Sequence, residues 1–319
     1  MAQSFVFHRG KAQARAQPRL SAFIAAAETG MLRMIWWLSK KLGPDRAGRL
    51  AAGIAGVTGP LLSRSSMLSA NLAVALPGLP DSRRRSLVRL AWREIGRVMG
   101  EFPNLEQICV AEADERLEIV EHYDMEPIRR RERQAIFVSG HFANWELAAG
   151  CSRKARFPLS VLYSPQANGA VDAMVQHYRE GLGVEMVPRK QAVRGIIKAL
   201  QKGRNFGLLL DQRYDEGQDV PFFGHDTPSG IAAAQIAIRM KLDYVPVRIQ
   251  RLKDAHFRIT FMPSIDPDPG CGTPMEQAID MTRRAYGLFE GWIREQPESW
   301  LCLKRRWPRN VYRSIGQDI

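Results

Sequence analysis

One short stretch of this chain carries residue types and spacing that suit proton transfer. The apolar, β-prone run Ala135-Ile136-Phe137-Val138-Ser139 is followed by Gly140-His141-Phe142-Ala143-Asn144-Trp145-Glu146. A strand that delivers a histidine at its carboxyl end, with a carboxylate close behind, suits a general base. Glu146 would accept a hydrogen bond from one imidazole nitrogen, leaving the other to take a proton from a hydroxyl. On a single helix, five positions turn through about 500° and put the two residues on different faces. The pair therefore works with His141 on the turn after the strand and Glu146 on a helix that starts near Asn144. The spacing is not HExxH, so a zinc-peptidase reading is weak. The plain alternative is a histidine satisfied at a helix N-terminus beside a surface glutamate, and bare spacing favours it.

A second apolar run, Phe206-Gly207-Leu208-Leu209-Leu210, ends in Asp211-Gln212. Active sites of open α/β sheets lie outside the carboxyl ends of the strands. Two strands would thus bring His141 and Asp211 to the same edge. Val220-Pro221-Phe222-Phe223-Gly224 follows, with Phe222 and Phe223 placed to wall an apolar groove or to pack in the core. Asp226-Thr227-Pro228-Ser229-Gly230 then leads into an Ala-rich helix.

The elements that must position these residues alternate. After residue 134, short β-prone runs at 135–139, 159–163, 184–187, 206–210, 244–249 and 256–262 are interleaved with helical segments, and a long helix covers about 274–296. This predicts an α/β fold with a largely parallel sheet flanked by helices, the last two strands pairing antiparallel. Before it, helices are expected at about 21–42 and 45–63, separated by Gly43-Pro44, then at 64–76 and 81–102. The organisation reads as a basic, disordered tail at 1–20, a helical membrane-associated region at 21–133 and an α/β core at 134–319, the last two forming one compact unit.

The chain has 319 residues and a net charge of +13. Such an excess implies an acidic partner: nucleic acid, an anionic membrane or an anionic substrate. No nucleic-acid motif or basic-aromatic stacking pattern is present, which argues against nucleic acid. Cys109, Cys151, Cys271 and Cys302 are scattered and form no CxxC pair, so neither a zinc site nor a disulfide framework is expected. No run approaches the ~18 apolar residues of a spanning helix. Trp36 and Trp37, however, sit in an apolar segment bracketed by Arg33, Lys40 and Lys41, the composition of a helix lying in the headgroup layer. An ordinary amphipathic helix packed on the domain is the alternative.

Several of these segments together resemble a known family. Gly140-His141 through Glu146 looks like the HxxxxD/E signature of the glycerolipid and lipid A acyltransferases. Leu210-Asp211-Gln212, Val220 to Gly224 and Thr227 to Gly230 are similar to the late lipid A acyltransferases, the lauroyl/myristoyl transferase family. So are Asn71-Leu72-Ala73-Val74-Ala75-Leu76-Pro77 and the C-terminal Pro297-Glu298-Ser299-Trp300-Leu301-Cys302-Leu303-Lys304-Arg305-Arg306-Trp307-Pro308. The resemblance covers about residues 30–312. It implies an enzyme at the cytoplasmic face of the bacterial inner membrane, moving a fatty acyl chain from acyl carrier protein to a hydroxyl of a lipid A precursor. By that analogy His141 deprotonates the acceptor and Glu146 orients the imidazole. Arg179, or backbone N–H groups at Asn144, would meet the oxyanion. Asp211, Gln212 and Thr227 support the site. No metal or cofactor is implied beyond the acyl carrier protein donor. Where the family commonly reads Tyr-Arg-Pro, this chain has Tyr163-Ser164-Pro165, so another glycolipid, a lysophospholipid or an aminolipid is the alternative acceptor. A catalytically silent peripheral membrane protein is the alternative outside enzymes.

Overall fold

A computed structural model describes residues 18–110 and 115–317. Most of the expected basic tail, residues 1–17, therefore lies outside the described residues. The chain begins with α1 (Pro18–Thr58), which is two helices merged across a break at Gly43. Gly43 has φ 73°, the left-handed region that glycine enters without a Cβ penalty. Pro44 then starts the second half, matching the expected division. α2 (Arg64–Ala75), α3 (Asp81–Glu101) and the short α4 (Leu105–Cys109) complete the helical layer. α1 and α3 pack with their backbones close together. A Cβ on Gly96 would lie 2.4 Å from the Ala51 carbonyl oxygen, and one on Gly100 2.5 Å from that of Ala47. Glycines four apart thus open the face of α3 on which α1 lies.

The α/β part runs through β1 (Leu117–Glu121), α5 (Glu126–Arg129), β2 (Ala135–Ser139), α6 (Leu147–Lys154), β3 (Leu159–Tyr163), α7 (Gly169–Glu180), β4 (Glu185–Pro188), α8 (Ala192–Gln201) and β5 (Asn205–Leu209). It continues through β6 (Gln218–Phe222), β7 (His225–Ser229), α9 (Ala232–Met240), β8 (Asp243–Lys253), β9 (His256–Phe261), α10 (Pro274–Glu295) and α11 (Arg309–Ser314). Seven strands form one sheet in the order β1-β9-β8-β2-β5-β3-β4, and β6 and β7 pair separately as a hairpin. All neighbours in the large sheet are parallel except β8 with β9, as the sequence predicts. Two elements differ from expectation. β1, inside the stretch read as helical, joins the sheet edge beside β9, and β6–β7 form a hairpin where the sequence reading assigned no strand.

The central strand β2 is buried along its whole length, which explains its continuous apolar run. Apolar clusters cover the sheet on both faces. One gathers Phe206, Phe222, Tyr286, Trp300 and Trp307; the other gathers Phe137, Phe157, Phe257 and, from α1, Leu32 and Trp36. Among the described residues no helix is long and apolar enough to cross a membrane.

Candidate active site

His141 is placed by the end of β2 and by the chain that clasps it. Gly140 has to be small: a Cβ there would lie 2.6 Å from the Phe142 ring and 3.2 Å from the Asp211 Cβ. The Phe142 amide donates back to the Gly140 carbonyl at 2.8 Å, so the chain turns tightly about His141. Residues 299–301 brace the turn. The Ala143 amide donates to Ser299 O at 2.8 Å, and the Leu301 amide to His141 O at 2.9 Å. Ala143, at φ 46°, swings the chain towards α6. That helix begins at Leu147 rather than near Asn144, with Glu146 at its N-cap position.

β5 runs parallel to β2 with Leu209 opposite Ser139, and the Leu210 amide donates to Ser139 O. His141 and Asp211 each stand two residues past a paired position, so they meet at the same level of the sheet edge. His141 Nδ1 lies 2.7 Å from Asp211 Oδ1. The other oxygen, Oδ2, accepts from Trp300 Nε1 at 3.0 Å. Asp211 is fully buried. Burial alone would raise its pKa, but the charge and hydrogen bond of His141, with the Trp300 bond, outweigh that and hold the carboxyl below its usual range.

The far side of the ring fixes where the proton sits. Gln212 Nε2 lies 3.0 Å from His141 Nε2, and Lys304 Nζ donates to Gln212 Oε1 at 3.1 Å. An ammonium has no acceptor, so the amide oxygen must face Lys304 and the amide NH2 must face the imidazole. His141 Nε2 therefore accepts, which places its proton on Nδ1, donated to Asp211. The acceptor lone pair of the ring is thus on Nε2, on the side away from Asp211 and capped by Gln212.

This corrects the expected pairing of His141 with Glu146. Both Glu146 oxygens face Arg179 from the last turn of α7, with Nε to Oε2 at 2.9 Å and Nη2 to Oε1 at 2.6 Å. Trp145 Nε1 adds a third bond to Oε1 at 3.2 Å. The physical reason is the competition between partners: a guanidinium fork matches both carboxylate oxygens at once. Burial would lower the Arg179 pKa, and the Glu146 charge more than reverses it. Arg179 thus arrives at the site already engaged, and the carboxylate bonded to His141 is that of Asp211.

The remaining expected residues divide. Asn144 is fully buried and its Nδ2 donates to Glu101 Oε2 at 2.9 Å. Arg251 of β8 donates to both oxygens of that same carboxylate. The Asn144 side chain thereby anchors the active-site turn to α3 rather than facing substrate. Thr227 is also buried: its hydroxyl donates to Arg306 O at 2.7 Å and accepts from Arg306 Nη1 at 3.0 Å. Thr227 clamps the C-terminal segment that carries Trp300 and Lys304. Phe222 stacks on Trp307 at 5.6 Å in the core, so it walls no groove. Trp36 is only 2% exposed, stacked on Phe102 at 5.1 Å and edge-on to Tyr178 at 5.0 Å, and so is unavailable to a membrane. Trp37, by contrast, is 62% exposed, in the company of Met34, Ile35 and Leu38. Arg33, Lys40 and Lys41 are exposed as well.

Trp300 and Lys304 lie within a segment noted for its resemblance, but their contacts with Asp211 and Gln212 were not anticipated. They lie 89 and 92 positions from their partners, and no local spacing reports such a contact. Cys302, nearby, is no nucleophile. Burial first, and then Asp211, push its thiol up to about 12. Among the described residues one group, Asp268, Cys271 and Asp280, brings metal-ligand atoms together, and it includes none of these site residues.

The sequence agrees with the geometry. No curated protein matches the chain. The family model of the bacterial lipid A biosynthesis acyltransferases matches residues 22–309, a span that includes the β2–α6 turn, Arg179, Asp211, Gln212, Trp300 and Lys304. By that match the chain is an acyltransferase and belongs to the bacterial lipid A biosynthesis acyltransferase family.

Proposed function

We propose that this acyltransferase moves a fatty acyl chain from the thioester of acyl carrier protein to a hydroxyl of a lipid A precursor, with His141 as general base. The observation that carries the reading is the imidazole held by Asp211 through Nδ1, with its Nε2 lone pair on the side away from Asp211 and capped by Gln212. The acceptor hydroxyl takes the place of the Gln212 amide and gives its proton to Nε2. Its oxygen attacks the thioester carbonyl, the C–S bond breaks, and the departing thiolate recovers the proton from His141. Asp211 stabilises the imidazolium formed on the way. Backbone amides of the turn at Asn144, and Arg179 as held by Glu146, are the donors proposed for the oxyanion.

Direct transfer without an acyl-enzyme is supported by the thiols. Burial pushes Cys151 up to about 12, and Cys109 is raised further, by burial and then by the neighbouring Cys151. The proposed location is the cytoplasmic face of the inner membrane. The exposed apolar side chains of α1, among them Trp37, Ile54 and Val57, beside Arg33, Lys40 and Lys41, support docking onto anionic lipid. The test is lipid mass spectrometry of a deletion strain complemented with the wild type or His141→Ala. Lipid A lacking one acyl chain, restored by the wild type alone, is expected. Unchanged lipid A with a different lipid losing its chain would transfer the activity to that acceptor.

A further inference from the structure

Three cations gather beside the proposed base, and among the described residues none of them is ion-paired to a carboxylate. Lys304 bonds Gln212, which caps His141 Nε2. Arg189 directly follows β4, a strand parallel to β3, and so stands at the same carboxyl edge as His141 and Asp211. Its guanidinium lies 5.5 Å from the centre of the Tyr214 ring, two residues beyond Gln212. Arg64 opens α2, and that helix is stapled to the Lys304 segment: Asn71 Nδ2 donates to Lys304 O at 2.9 Å and to Cys302 O at 2.8 Å.

These placements bring Arg189 and Arg64 within the field of Lys304. The Lys304 pKa is lowered, by burial first, then by Arg189 and by Arg64. Among the described residues no ion pair joins Lys304, Arg189 or Arg64 to a carboxylate, whereas neighbouring Arg213 has Asp215 and Arg179 has Glu146. Arg64, Arg189 and Lys304 are exposed. Like charges left together at a site mouth cost stability, and an anionic ligand relieves that cost. Two planar guanidiniums and an ammonium suit a phosphate group, whose several oxygens they can share, better than a carboxylate, which one guanidinium saturates.

We propose that Lys304, Arg189 and Arg64 form a binding site for a phosphate group of a substrate, beside His141. Binding draws the Lys304 ammonium towards the anion and away from Gln212 Oε1, which releases the Gln212 amide from Nε2 and clears the base for the acceptor hydroxyl. The site rests on the acyl-transfer reading for the source of its phosphate, and on the cations alone for its existence. Two sources offer that chemistry: a phosphate ester on the acceptor glycolipid, and the phosphodiester of the carrier protein's prosthetic arm.

Calorimetric titration of the full chain with inorganic pyrophosphate tests the site without turnover. Saturable binding is expected, weakened about tenfold by Arg189→Ala, Arg64→Ala or Lys304→Ala, each of which removes one charge-assisted contact. Arg85→Ala, an exposed cation on α3, should leave it unchanged. Absence of saturable binding, or equal weakening by Arg85→Ala, overturns the site. Steady-state kinetics then assigns the phosphate. A raised KM for the acceptor in Arg64→Ala and Arg189→Ala places it on the glycolipid, and a raised KM for the acyl carrier protein thioester places it on the donor. If neither KM moves, no substrate phosphate binds there and the proposal fails. A wild type that binds pyrophosphate but transfers no acyl group would remove the acyl-transfer reading and leave the anion site standing.

Discussion

Two carboxylates flank the turn that carries His141, and they are built for different tasks. Asp211, at the end of β5, is fully buried and takes one donor on each oxygen, from His141 and from Trp300. Glu146, at the start of α6, keeps 9% of its side chain exposed and faces a full cation, Arg179. Asp211 sets where a proton sits on a neutral ring. Glu146 neutralises and aims a guanidinium. The carboxylate closer in sequence is therefore not the one bonded to His141. Pairing across a parallel sheet joins residues 70 apart more tightly than a five-residue step along the turn.

The largest effect should come from the base and its orienter. His141→Ala removes the proton acceptor, and Asp211→Asn disturbs the tautomer that leaves Nε2 unprotonated. Each should lower kcat by about 10²–10⁴-fold. The double variant should be little worse than either, because the two act as a unit. Steady-state rates on purified variants check this, and a strictly multiplicative loss would break the claim that Asp211 works through His141.

Next comes the Glu146 side of the comparison. Glu146→Ala leaves Arg179 charged, largely buried and without its partner. Breaking such a pair costs about 3–5 kcal/mol when fully buried, and the lower end applies here because Arg179 keeps 16% of its side chain exposed. Urea midpoints measure the loss. Glu146→Ala combined with Arg179→Met should recover part of it. Activity should fall in Glu146→Gln through the altered Arg179 position, and combining it with Asp211→Asn should multiply the two losses. A double variant no worse than Asp211→Asn alone would put Glu146 back on His141.

A smaller effect concerns acid stability. The folded-state pKa of Asp211 lies below its ordinary value, about 4 in unfolded chains. Its contribution to stability is therefore fully present above that pH and is lost as pH falls through the folded value. The stability difference between wild type and Asp211→Asn should shrink as pH is lowered below about 4, as read from chemical denaturation across pH. Trp300→Phe should act in the same direction and more weakly, costing about 1.5–3 kcal/mol through one lost hydrogen bond to a carboxylate.

Much of the frame was legible because burial writes itself into strands. β2 and β5 show as unbroken apolar runs, and polar residues just past such runs must lie at the sheet edge. β1 was not legible: Leu117-Glu118-Ile119-Val120-Glu121 is a half-exposed edge strand, and its two acids hide the alternation. The Trp36-Trp37 pair shows a second limit. Adjacent residues on a helix point about 100° apart, so composition placed both at a membrane although the fold buries one and exposes the other. Strand register and side-chain partners stayed out of reach because they depend on contacts between distant segments. Thus Asp211 was placed at the correct edge by its strand, but its bonds to His141 and Trp300 emerged only from the fold.

The proton position on His141 is the central claim, and nitrogen-15 NMR on histidine-labelled protein reads it directly. In the neutral ring, Nδ1 should report as protonated and Nε2 as a bare acceptor. That pattern should survive Glu146→Gln and be lost or mixed in Asp211→Asn. A proton found on Nε2, or a pattern abolished by Glu146→Gln and untouched by Asp211→Asn, would contradict the account.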